Sequence, residues 1–526
     1  MIAALISKII GLIYKSPLSS TMGKESFGCF QFAQNVYFIL LMIASFSIPQ
    51  AVSKIMAERL AFHRYRDAQK IFKGALLYAV VMGGVVSILC VVGAPILVPD
   101  KMANARLALQ FLAPVSYTHL TLPTTSRGYF QAYRNMLPTS VSQIVEQIAV
   151  AVVALIMANV MVRRFAGAEP DVLRSWSAAG ATMGTGAGVT AALLFMLFVY
   201  QVNRSTIQRK IARDQVSVGE SYQDVMKTIV LIVAPIILSA FLYNVNGYIN
   251  SMIYTGVSGV KGLKSGVVEG LYAECGYFLT IINIPLTLSS TAPTSMMPEV
   301  SGYYAKGDKK TAKKKIDKAT WLSMFISIPC SVGLFVLAGP ITKLLFSTTD
   351  GTAGRLMMLG VITVIMNGMS NISNGVLQGI GKANIPMIHA AIALVCDVIV
   401  VVVLMFVTNW GIYNVVIAMI VYALIMCVLN HRAMWRELKY HNPWKEAYLP
   451  PLAASIPMGI VAFAAYHGIY AAVKSNFIAL IPAIALGGCV YFLAYIIIAK
   501  PKDEDMAGIP GGRILVKIAG KLNFGR

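Results

Sequence analysis

Asn367 to Ala390 reads NGMSNISNGVLQGIGKANIPMIHA. Its length and apolar flanks are those of a membrane helix, yet it carries Asn367, Ser370, Asn371, Ser373, Asn374 and Gln378. Hydrocarbon offers such groups no hydrogen-bond partner, so Asn371, Asn374 and Gln378 are expected to face protein or a water-filled cavity. A break is expected at Gly379, Gly381 and Pro386, read as a hinge, before a new apolar run begins. A looser copy of the pattern lies about 250 residues earlier, which points to two related halves. There Gly128-x-x-Gln131-Ala132, with Arg134, Asn135 and Pro138, matches Gly375-x-x-Gln378-Gly379, with Lys382, Asn384 and Pro386.

Working outward, the chain is 57% hydrophobic and only 13% charged, with mean hydropathy +0.69. A soluble protein of this size would be about a quarter charged. The apolar runs are continuous over roughly 20 residues, the length of a spanning helix and not of a barrel strand. An all-α polytopic membrane protein is therefore expected. About fourteen segments can be marked, at 1–16, 29–53, 74–98, 107–130, 138–162, 176–201, 225–254, 269–300, 319–346, 354–379, 385–408, 411–430, 447–473 and 476–499.

The net charge of +22 is read as a topological signal, and no nucleic-acid partner is inferred from it. Most of the 44 Lys and Arg fall in one set of loops, around Lys54–Lys73, Arg127 and Arg134, Arg204–Arg213, Lys306–Lys318, Lys382, Arg432–Lys445 and the tail from Lys500. That asymmetry places both termini in the cytoplasm. The seven cysteines are scattered, without a C-x-x-C, so neither a disulfide frame nor a metal site is expected. The first apolar stretch runs into Lys15 and Pro17 with no small-residue cleavage site, so it is not read as a cleaved leader. It is also short for a span, with an upstream start or a partly unwound helix as the two readings.

Polar groups recur on particular segments. The second carries Gln31, Gln34 and Asn35 on one side and a candidate hinge, Pro49, near its inner end. The eighth carries Asn283, Ser289 and Ser290, with Pro285 and Pro298 as candidate hinges, and is expected to be kinked and to line a cavity. Ser116–Ser126, SYTHLTLPTTS, interrupts the fourth. It admits three readings: a cavity-lining break with His119 as a proton relay, a wet groove, or non-native sequence in place of an apolar helix. No function is placed on His119. Lys8, Lys15, Glu146, Glu274 and Asp397 are the ionisable groups deep in segments. Each is either one half of an interhelix pair or functional, the acids then serving ion or proton coupling.

Five stretches together resemble one family: SKIIGLIYKSPLSSTMG (7–23), SIPQAVSKIMAE (47–58), RGYFQAYRNMLPTSVSQIVEQI (127–148), NIPLTLSSTAPTSMMPEVSGYYAKGD (283–308) and NGVLQGIGKANIPM (374–387). They resemble the oligosaccharide flippases of the polysaccharide-transporter branch of the multidrug/oligosaccharidyl-lipid/polysaccharide exporter superfamily. Within it they are most like the stage V sporulation protein B and MurJ-type lipid II flippase group.

The resemblance implies two six-helix lobes, 1–215 and 216–440, around a central cavity, with helices thirteen and fourteen over 441–500 and a basic tail over 501–526. It implies movement of a sugar carried on polyprenyl diphosphate from the inner to the outer leaflet, for cell wall, spore cortex or polysaccharide synthesis. It also implies a cationic cavity wall, whose matching positions are Lys8 and Lys15. The family start and fourth helix differ from those seen here.

Elementary chemistry agrees with the resemblance. A diphosphate and a hydroxyl-covered sugar cannot cross hydrocarbon unaided, and ammonium and amide groups can replace the lost water. No G-x-x-x-x-G-K-[ST] loop is present, so a nucleotide is not expected; an ion gradient, with Na+ or H+ as the candidate ion, the membrane potential and substrate mass action stay open as energy sources, and membrane lipids are the other partners. A monomer without cofactors is expected. A drug exporter of the same superfamily is the rival, but it would need acidic groups for cationic drugs. An enzyme is the less favoured class, because no loop exceeds roughly 25 residues and little room remains for a catalytic domain.

Overall fold

The computed structural model describes residues 2–45, 48–115, 122–133, 135–347 and 351–500. Among these residues there are helices and no strands, and eleven helices are long and apolar enough to cross a membrane. The chain is thus an all-α polytopic membrane protein. The three other expected segments, 1–16, 107–130 and 225–254, are helical where described. His119 and the rest of 116–121 lie outside the described residues, as do Arg134 and the tail from 501.

The chain divides into two compact units, Met1–Gly276 with Leu404–Ile412, and Tyr277–Val403 with Tyr413–Arg526. The first unit holds α1 (Ile2–Met22), α2 (Lys24–Ser45), α3 (Ile48–Ala61), α4 (Tyr65–Val92), α5 (Ala105–Phe111), α6 (Leu122–Ala132), α7 (Leu137–Arg164), α8 (Pro170–Ala212), α9 (Tyr222–Val260) and the start of α10 (Ser265–Ala305).

The expected end of the first segment at Lys15 is corrected. α1 runs on through Lys15 and Pro17 to Met22, so Lys15 is a mid-helix residue and not part of a loop. Proline removes only one ladder bond, and the Thr21 hydroxyl donates to the Pro17 carbonyl at 2.8 Å just beyond it. Arg127, assigned to a loop by the sequence reading, likewise lies inside α6.

Close helix contacts in this unit come from missing side chains. On α8, Gly180, Gly184 and Gly188 recur every four residues, and a Cβ at any of them would strike α7. On α2, a Cβ at Gly28 would overlap the Glu269 backbone carbonyl of α10. Backbone cannot yield as a flexible side chain can, so Gly28→Ala is expected to lower stability by about 3 kcal/mol. Thermal unfolding in detergent checks this; an unchanged midpoint would contradict the contact.

Beyond the membrane-facing part, the N-terminal end of α4 is clamped to the connector between α8 and α9. The Asp67 carboxylate, 1% exposed, accepts from the backbone N–H groups of Val218, Gly219 and Glu220 at 3.1–3.3 Å and from Arg64 Nε at 2.8 Å. Asp214 accepts from the N–H groups of Arg66, Val216 and Ser217 and from the Ser217 hydroxyl at 2.6 Å. Burial works to raise the Asp214 pKa. The Ser217 hydroxyl and the backbone donors outweigh it and hold the carboxyl well below the usual range.

A carboxyl depressed by folding stabilises the fold above its unfolded pKa of about 3.9, and that stabilisation is lost as pH falls toward the folded value. Asp214→Asn is expected to cost about 1–3 kcal/mol at pH 7. The gap to wild type should narrow below about pH 4. Unfolding midpoints measured across pH check this, and a gap of the same size at every pH would contradict it.

The second unit holds the rest of α10, then α11 (Lys309–Val336), α12 (Ala338–Phe346), α13 (Thr352–Gly360), α14 (Ile362–Gly379), α15 (Asn384–Val407), α16 (Tyr413–Leu438), α17 (Leu449–Val473) and α18 (Asn476–Ala499). The segment read as 354–379 is two helices, α13 and α14, offset at Val361. α14 ends at Gly379. Lys382 N–H then closes on the Leu377 carbonyl at 2.8 Å and Gly381 N–H on Gln378 at 3.1 Å. This wrap needs a left-handed residue, and Gly381 supplies it with φ of 81°.

α15 starts two residues after Lys382 and carries Pro386 in its first turn. The paired motifs sit alike within their own units. Gly128 lies against Pro49 of α3, and Gly375 lies against Met297 of α10, next to Pro298.

Candidate functional site

The site builds from α1. Lys8, Gly11 and Lys15 are spaced i, i+3 and i+7, so they share one face, with about 10 Å of helix rise between the two lysines. Lys8 is exposed and Lys15 half-buried. α1 packs along α7, and the Gly11 position faces the side-chain oxygen of Gln147.

The charges around this face are unequally matched. Glu146 of α7 is held by Arg127 of α6 at 2.7 Å, and Arg127 Nε also donates to Ser142. Glu274 of α10 is held by Lys24 of α2 at 2.6 Å. Glu269, fully buried on α10, lies 3.5 Å from Arg174 of α8 and accepts from Asn104 at 2.8 Å. Each of these acids has its cation. Among the described residues, no carboxylate lies within ion-pair distance of Lys8 or Lys15.

The polar groups of α2 diverge. Gln34 donates to Thr185 of α8 at 2.8 Å. Asn35 donates to Ser251 of α9 and Tyr272 of α10, each at 3.1 Å, and Ser251 lies 3.0 Å from the Tyr272 hydroxyl. Gln31 lies beside Gly276. Asn35 thus belongs to a buried knot joining three helices, while Gln31 and Gln34 each touch one neighbour.

In the second unit, Asn283, Asn371 and Gln378 are exposed. Ser289 and Ser290 donate back to their own helix, to Leu286 and Thr287. Asn374 accepts from Asn430 at 2.6 Å, and Asn430 meets His389 at 2.7 Å. Asp397 is fully buried on α15. Pro49 occupies the second position of α3, whereas Pro285 and Pro298 lie within the unbroken run of α10.

Sequence reasoning passed over Lys24, Arg127 and Arg174 as partners of intramembrane acids. Arg127 was placed among the cytoplasmic loops. Gln147 was not singled out, although a glutamine four residues after Gln143 in an apolar helix was visible as a polar pair.

The family described as "Polysaccharide biosynthesis protein" matches residues 1–294, and the family described as "MatE" matches residues 272–403. The chain is similar to "Lipid II flippase MurJ" of Bacillus subtilis (strain 168), with 22% identity over 75% of this chain and 74% of that protein. It is similar to "Stage V sporulation protein B" of the same organism, with 20% identity over 98% of this chain and 97% of the relative.

Among solved structures it resembles "Lipid II flippase MurJ, inward closed conformation", with a TM-score of 0.65 and 15% identity over 95% of this chain and 98% of the other. It also resembles an inward-facing multidrug resistance MATE family transporter, with a TM-score of 0.63 and 14% identity over 82% of this chain and 95% of that one. At such identities the structures speak for the fold.

Proposed function

We propose, from the premise that this chain belongs to the polysaccharide biosynthesis protein family, that it is a flippase for a polyprenyl-diphosphate-linked sugar. The observation that carries the reading is the pair of unmatched cations. In the first unit Glu146, Glu269 and Glu274 are each neutralised by a basic side chain, while Lys8 and Lys15 share a helix face with no carboxylate within ion-pair distance among the described residues. A cation within a membrane helix is costly without a partner, so such a pair suits a place that an anion visits. A diphosphate supplies that anion, and its oxygens accept charge-assisted hydrogen bonds from both ammonium groups.

The relatives named for lipid II flipping and for sporulation support a wall or cortex precursor as the cargo. The exposed amides Asn371 and Gln378 are proposed as cavity-lining groups of the second unit, and the prenyl tail would remain in lipid. Alternating access between lobes 1–215 and 216–440, with both termini cytoplasmic, completes the proposal. Gly379, Gly381, Pro386 and Pro49 are the proposed hinges, and Asp397 the proposed ion-coupling group. The MatE match favours a cation-coupled drug exporter as the second reading.

Equilibrium binding by the purified protein separates the two. Polyprenyl-diphosphate sugar is expected to bind and to be displaced by polyprenyl diphosphate but not by cationic dyes. Displacement by dyes, with no effect of the diphosphate, would favour the exporter.

A further inference from the structure

Gly11 is not a packing glycine. Where glycines hold helices together in this unit, an added Cβ would collide with a neighbour, as Gly184 would with Ala154. Among the described residues, the only outside atom within 4 Å of that position at Gly11 is Gln147 Oε1, at 3.9 Å, an ordinary contact. The space above Gly11 is therefore open, with Lys8 one turn below, Lys15 one turn above and Gln147 opposite.

Gln147 is itself uncommitted. Glu146 beside it is taken by Arg127 at 2.7 Å, but neither Gln147 nor Gln143, one turn earlier, makes a side-chain hydrogen bond among the described residues. An unsatisfied amide within a membrane segment is costly, and it is tolerated where water or a ligand completes it.

Resting on the flippase reading, we propose that the notch formed by Lys8, Gly11 and Lys15 of α1 and Gln147 of α7 is a binding seat for the junction between diphosphate and first sugar, and that Gln147 is its specificity-determining residue. The chemistry divides the work. Ammonium groups only donate, which suits phosphate oxygens. A carboxamide also brings an acceptor, and it is the Gln147 oxygen that faces Gly11. A fully ionised diphosphate has no donor for it, whereas a sugar hydroxyl or acetamido N–H does. Gly11 leaves the notch open so that the junction reaches the helix surface.

Binding of polyprenyl diphosphate and of polyprenyl-diphosphate N-acetylhexosamine to the purified protein tests this, with unfolding midpoints confirming that each variant is folded. Gln147→Leu is expected to weaken the sugar-bearing lipid about tenfold and leave the bare diphosphate unchanged. Gly11→Leu is expected to lose both. Gly11→Leu binding both normally would show that no ligand occupies the notch. Gln147→Leu weakening both lipids equally, or neither, would remove its role in reading the sugar. Wild type that binds neither lipid would instead overturn the flippase reading beneath the proposal.

Discussion

Lys15→Ala is expected to abolish leaflet transfer of the lipid-linked sugar while expression and unfolding midpoint stay near wild type. Removing a charge-assisted hydrogen bond to an anion costs about 1.5–3 kcal/mol, or roughly 10- to 150-fold in binding. The loss falls on transport because, among the described residues, Lys15 holds no carboxylate, so its removal strands no buried acid there. It also relieves repulsion from Lys8 on the same face. Lys15→Arg should retain part of the activity, since the charge remains but its geometry changes. Full transfer by folded Lys15→Ala would remove the cationic seat from the account.

The opposite behaviour is expected at Arg127. Its guanidinium and the Glu146 carboxylate are 11% and 15% exposed and lie 2.7 Å apart. Arg127→Ala removes the guanidinium from a largely buried carboxylate, a change that costs about 3–5 kcal/mol. Replacing both partners, as in Arg127→Met with Glu146→Leu, should recover most of the stability, because neither desolvated charge remains. Unfolding midpoints of the two single variants and the double variant check this. A double variant no more stable than Arg127→Ala would contradict the ion-pair account. The same protein tests the coupling role considered for Glu146: a stable double variant that still transports with unaltered ion dependence assigns Glu146 to structure.

The two expectations differ because pairing differs, and pairing was the part least legible in sequence. Local chemistry read well. Gly379, Gly381 and Pro386 mark a helix end because a left-handed residue and a proline act on their own neighbours, and α14 does end there with Gly381 at φ of 81°. Spanning length and composition similarly marked the membrane helices.

Lys24 and Glu274 could not be matched by eye. Their contact depends on α2 lying against α10, and on Gly28 letting the two backbones approach, with no local pattern to announce it. The end of α1 was misplaced for a related reason. A lysine and a proline usually close an apolar span, but a proline whose single missing bond is tolerated lets the helix continue past both. Asn35 shows the converse, since a polar residue that looked suited to a cavity is held within a three-helix knot.

Leaflet transfer of a labelled polyprenyl-diphosphate sugar in liposomes containing the purified, folded wild-type protein tests the central claim most directly. The account predicts transfer that depends on the protein, competes with polyprenyl diphosphate and disappears in Lys15→Ala. Folded protein that moves no such lipid but exports cationic dyes would contradict it and make the drug-exporter reading the working one.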